Sequence, residues 1–145
     1  MLKRIAITIA TLTLIGSTVL AQKPSIPNDK QARLGKPDLQ IKEYLFPPTN
    51  DKALRVHVVN AGSAASGLCV LRLTVRKING VAVGRVTEIK LPPLAPGADK
   101  WLVIDGKSIL PNNVSLESTT FRLNADATEI IGESDETNNE TWHNL

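Results

Sequence analysis

From Pro37 to the end of this 145-residue chain, apolar side chains recur at every second position, and no segment sustains a repeat of 3.6. A period of two marks strands with one face in a core, whereas 3.6 marks amphipathic helices. The chain is therefore confined to sheets. Leu39 and Ile41, with Leu45, open the series, and Leu54, Val56 and Val58 then point one way while Arg55 and His57 point the other. Asn60-Ala61-Gly62-Ser63 ends that strand with turn chemistry.

Residues 68–76 form the next strand, with Cys69, Leu71, Leu73 and Val75 on one face and Arg72, Thr74 and Arg76 on the other. Asn79-Gly80 is a hairpin signal, because both positions tolerate positive φ. Val81 and Val83 pair across it, and residues 86–91 are read as a further strand. Pro92-Pro93-Leu94-Ala95-Pro96-Gly97 suits neither a helix nor a central strand. Residues 101–104 and 118–125 supply two more strands, and a last one falls between residues 130 and 142. Trp101 shares a face with Val103, and that face is expected in the core. About seven short strands at regular spacing predict an all-β antiparallel sandwich.

The first residues are read as a targeting segment rather than as fold. Lys3 and Arg4 precede an uncharged apolar stretch over residues 5–20, and Val19-Leu20-Ala21 offers a cleavage site before Gln22. This is the three-part pattern of a secretory signal peptide, 1–21. The stretch is short for a span of roughly twenty residues. No cysteine follows it, so lipid attachment is not expected, nor is a membrane span after cleavage. Residues 22–36, with two prolines and scattered charge, read as a linker, and 37–145 as one domain. The expected location is the periplasm or the medium.

Charge is uneven along the chain. Residues 22–55 carry seven Lys/Arg against four acids, while residues 126–145 carry six acids and no Lys or Arg. The basic charges lie scattered among prolines and polar residues, as in a solvated linker, and no nucleic-acid partner is expected. One cysteine in an exported chain leaves no internal disulfide, and Cys69 reads as a small buried hydrophobe.

Several blocks together resemble a known family. Pro37-Asp38-Leu39 opens the domain, followed by Val58-Val59-Asn60-Ala61-Gly62-Ser63-Ala64 and by Leu91 with Leu94-Ala95-Pro96-Gly97. The end reads Asp126, then Glu133-Ser134-Asp135-Glu136-Thr137-Asn138-Asn139. In this order they resemble the CARDB domain, a bacterial module related to cell-adhesion domains. Asp126-Ala127-Thr128-Glu129 departs from the family, which tends to place Pro, Asp or Asn there. The resemblance implies an immunoglobulin-like sandwich in an exported bacterial protein, mediating contacts or spacing other modules. Fold alone does not fix function.

Two candidate sites follow from the residues. Asp126, Glu129, Glu133, Asp135, Glu136 and Asn138 gather hard oxygen ligands without a neighbouring cation, which suits calcium. The competing expectation is that these groups bond the backbone where the chain bends, or lie in solvent. Trp142, among polar neighbours near the end, is a candidate anchor for a protein partner or a glycan, the competing expectation being that it caps the open end of the sandwich. Catalysis is not expected. Only His57 and His143 could act as imidazole bases, and there is no Gly-x-Ser-x-Gly, His-Glu-x-x-His or Cys-x-x-Cys. The expected function is a non-catalytic binding module for an envelope or extracellular protein, with a calcium-stabilised structural module and a glycan-binding module as alternatives.

Overall fold

The computed structural model describes residues 35–145. The signal peptide and nearly all of the linker read above lie outside the described residues. Seven strands run β1 (Leu39–Leu45), β2 (Ala53–Asn60), β3 (Cys69–Ile78), β4 (Val81–Leu91), β5 (Asp99–Asp105), β6 (Thr119–Ala125) and β7 (Glu140–His143). They form a three-stranded sheet, β1-β2-β5, facing a four-stranded sheet, β4-β3-β6-β7. Every pairing is antiparallel. This is the antiparallel sandwich that the residues predict, with the immunoglobulin-like fold that the resemblance implies. Among the described residues no helix is long and apolar enough to cross a membrane.

The two inner faces meet through the alternating residues. Leu54, Val56, Val58 and Ile104 from one sheet close on Leu71, Leu73, Val75, Phe121 and Leu123 from the other, all fully buried. Each such side chain contributes roughly 1.5–3 kcal/mol relative to exposure. Leu110, Val114 and Leu116, from the connection between β5 and β6, plug one end of the core. Cys69 belongs to this core, 2% exposed.

The Asn79-Gly80 turn forms as read, with φ of 50° and 78°. It joins β3 to one continuous eleven-residue β4 rather than to two shorter strands. Gly84 lies inside that strand in open space, so nothing in the packing breaks it. Gly62 is required by close approach, since a Cβ there would collide with the Lys36 carbonyl and the Asp38 nitrogen.

Trp101 does not face the core. Val56 pairs with Leu102 and His57 with Trp101, so Leu102 and Ile104 turn inward while Trp101 and Val103 turn out. Val103 is 60% exposed. The indole instead lies flat on the His57 ring, centroids 4.6 Å apart, with the Arg55 guanidinium 5.1 Å from its centre.

The last strand is pinned by aromatic contact. The His143 ring stacks on Phe121 at 4.9 Å, its Nδ1 lies 3.0 Å from the Tyr44 hydroxyl, and its Nε2 lies 3.1 Å from the Glu117 carbonyl. β7 thereby stays in register beside β6 and carries Trp142 on its outer face.

Candidate binding site at the loop before the last strand

β6 ends at Ala125, and the chain turns out of the sheet at Asp126, where φ is 51°. Asn and Asp tolerate this conformation better than most residues because the short side chain can bond nearby backbone. Asp126 does so: its carboxylate accepts the N–H of Ile131 at 2.8 Å and of Ile130 at 3.3 Å. The side chain is 1% exposed and so serves the turn from inside. Glu129, also at φ 51°, closes that turn by donating its N–H to the Asp126 carbonyl at 2.8 Å.

The loop over residues 126–139 stands away from the outer face of the four-stranded sheet and leaves a hollow of about 950 Å³. Its sheet side is Arg72, Arg122, Asn124 and Trp142; its loop side includes Glu129, Ile131 and Glu136. Arg122 donates to Glu140 at 3.2 Å, and the Trp142 indole N–H donates to the same carboxylate at 2.6 Å. The Arg122 guanidinium also lies 5.8 Å from the centre of the indole. Trp142 is thus held in place yet 44% exposed. Arg122 Nε and Asn124 Oδ1 are buried and make no hydrogen bond.

The acidic residues singled out in the sequence divide into separate settings. Asp135 is exposed, and the Thr137 hydroxyl and N–H that bond its carboxylate hold it below the usual range. Glu136 accepts the Glu133 N–H at 2.8 Å. Glu133 is 4% exposed, and its carboxyl is pushed up to about 7, first by burial and then by the charges of Glu136, Asp126 and Asp38; the Leu39 N–H, which faces the carboxyl outside hydrogen-bond geometry, pulls the other way. One of its oxygens, Oε1, is buried without a partner, and Oε2 lies 3.4 Å from the Asn139 amide nitrogen. Asn138 donates its amide to Asp38 at 2.9 Å, and its own Oδ1 is buried and unpaired. The structure therefore brings Asp126, Glu133, Glu136 and Asn138 into one neighbourhood and adds Asp38, the residue before β1. Among the described residues, no three His, Cys, Asp or Glu side chains are placed to hold a metal ion by themselves.

Sequence reasoning missed Asp38, Arg122 and Asn124 as site residues. Arg122 and Asn124 alternate with Phe121 and Leu123 in β6, so their outward direction was open to reading. Their meeting with Arg72 depends on the register of β6 against β3. Asp38 stands in the Pro37-Asp38-Leu39 block that opens the domain, but nothing local ties it to the acidic segment, which it meets only through Asn138.

The groups that could have supported catalysis are engaged elsewhere. His57 bonds Asp99 at 2.7 Å and lies 3.5 Å from Glu43, on the outer face of the other sheet. The Cys69 thiol is pushed up to about 11 by burial and the nearby Asp126 charge, with a smaller contribution from Glu133.

Known proteins supply the remaining comparison. A family model described as CARDB matches residues 36–143. No curated protein matches the chain. Among solved structures, the chain is similar to the CARDB domain of the PF1109 protein from Pyrococcus furiosus, a crystal structure of a complex with di-metal ions. The two are 19% identical with a TM-score of 0.52, covering 74% of this chain and 89% of that one. At that identity the likeness is one of fold.

Proposed function

The chain belongs to the CARDB family, and from that premise we propose that it is an exported, non-catalytic interaction module that holds a protein partner in the bacterial envelope or outside the cell. The family is an adhesion-related one, which favours a binding role over a catalytic one. Export rests on the residue pattern of 1–21. The observation that carries the reading is the hollow beside Trp142. It combines a half-exposed indole, held by Glu140 and Arg122, with polar groups on both walls. Aromatic and arginine side chains are the usual anchors of protein contacts. Trp142 also stands on an edge strand of its sheet, so a partner strand could pair with β7 and lay side chains into the hollow.

The test is capture from envelope and secreted fractions of the source organism with the tagged protein, in calcium and in chelator. One protein recovered in near-equal amount supports the module. A hollow that instead takes up cell-wall sugars, seen as quenching of tryptophan fluorescence, would move the reading to glycan binding.

A second reading, a module stabilised by a cation such as calcium, is favoured by Glu133, a buried carboxylate with an unpaired oxygen and carboxylate neighbours. The structurally similar Pyrococcus furiosus domain was crystallised with di-metal ions. Calcium raising the melting temperature would support this reading.

A further inference from the structure

We propose that a calcium ion, held by Glu133 and Asn138 of the loop and by Asp38 just before β1, clasps the two ends of the domain together. This rests on the cation reading above and gives it a place. Two of the three side chains present buried oxygens with no hydrogen-bond partner, Glu133 Oε1 and Asn138 Oδ1. The third is already joined to the second, since the Asn138 amide donates to Asp38 across 100 positions of sequence. A buried acceptor left unpaired costs roughly 1–3 kcal/mol, and a hard cation would satisfy both oxygens.

Charge points the same way. The ion pairs among the described residues join His57 to Glu43 and Asp99, Arg72 to Glu88, and Arg122 to Glu140. None of them reaches Asp38, Asp126, Glu133 or Glu136. Four carboxylates share a neighbourhood that has no such pairing, and Glu133 among them is only 4% exposed.

The donor set selects the ion. Carboxylate and amide oxygens suit calcium or magnesium, and the irregular loop suits the looser shell of calcium. Two carboxylates and one amide fall short of the six to eight oxygens calcium takes, so main-chain carbonyls and water would complete the shell. Affinity is therefore expected in the range of weak extracellular modules, on the order of 10⁻⁴–10⁻³ M.

The experiment is thermal unfolding and calorimetric titration of the purified protein with calcium chloride, against chelator and against magnesium. Wild type should gain about 5 °C at saturating calcium. Glu133→Gln and Asp38→Asn should each weaken calcium binding at least about tenfold, and Asp135→Asn should leave it unchanged. Both test substitutions keep side-chain shape, and circular dichroism in chelator verifies folding; if one variant does not fold, the other decides. Calcium binding equally to all variants would overturn this placement and leave the cation reading standing. No binding to wild type at about 10 mM calcium, ten times the weak limit, would overturn both.

Discussion

The Asn60 side chain donates its amide to the Leu94 carbonyl at 2.9 Å, tying the end of β2 to the proline-rich connection that follows β4. The same amide donates to Ala64 at 2.8 Å, and the side-chain oxygen accepts the N–H of Asp38 at 3.0 Å and of Gly62 at 3.1 Å. A fully buried asparagine thus has all four of its bonds made. Three segments distant in sequence, near Asp38, Gly62 and Leu94, meet on one side chain. Asn60→Ala removes the hub and orphans its buried backbone partners, so a loss of about 3 kcal/mol is expected. Urea unfolding of the two proteins measures it; a loss below about 1 kcal/mol would show that water replaces the side chain without penalty.

Stability in chelator should fall as pH rises through the range where Glu133 ionises. Its folded carboxyl titrates near 7, above the ordinary 4.5. Below the ordinary value both folded and unfolded states hold the proton, and the full stability is present. Above the folded value both have lost it, and the buried charge costs about 3 kcal/mol at most. Melting temperatures of wild type and Glu133→Gln between pH 4 and pH 8 should therefore diverge, the variant becoming relatively more stable toward pH 8. Parallel curves would mean that Glu133 is solvated.

Cys69 should be inert in the folded protein. It is 2% exposed and its thiol titrates near 11, so the thiolate that reacts is scarce and enclosed. Maleimide labelling at pH 7.5 should be slower than in urea by roughly a hundredfold or more. Equal rates would place the thiol at the surface. Cys69→Ala should cost about 1 kcal/mol, as a small cavity does.

The strand series was open to reading because alternation survives wherever a strand has one wet face. It failed where the pattern lost its phase. Trp101-Leu102-Val103-Ile104 is apolar at all four positions, so either alternate pair could face inward, and only pairing with Val56 and His57 decides between them. The pattern divides β4 into 81–83 and 86–91 because Gly84 between them offers no side chain to the alternation, although the backbone continues through it. The acidic segment announced itself by composition. Its division did not, because Asp126 turns inward to serve Ile130 and Ile131 while Asp135 remains in solvent. Asp38 joins the cluster through a bond to Asn138, and local sequence carries no trace of a contact that only the closed sandwich creates.

Trp142 offers the most direct trial of the interaction module. Its half-exposed ring contributes little to the core, so Trp142→Ala should change stability by less than about 1 kcal/mol. Wild type and this variant, tagged and matched in amount, would be incubated side by side with envelope and secreted fractions of the source organism. The account predicts one protein recovered in near-equal amount by wild type and at least about tenfold less by the variant, as loss of an anchor worth more than about 1.4 kcal/mol requires. The same protein recovered equally by both would remove the hollow from the binding role, and no specific protein recovered by either would contradict the module itself.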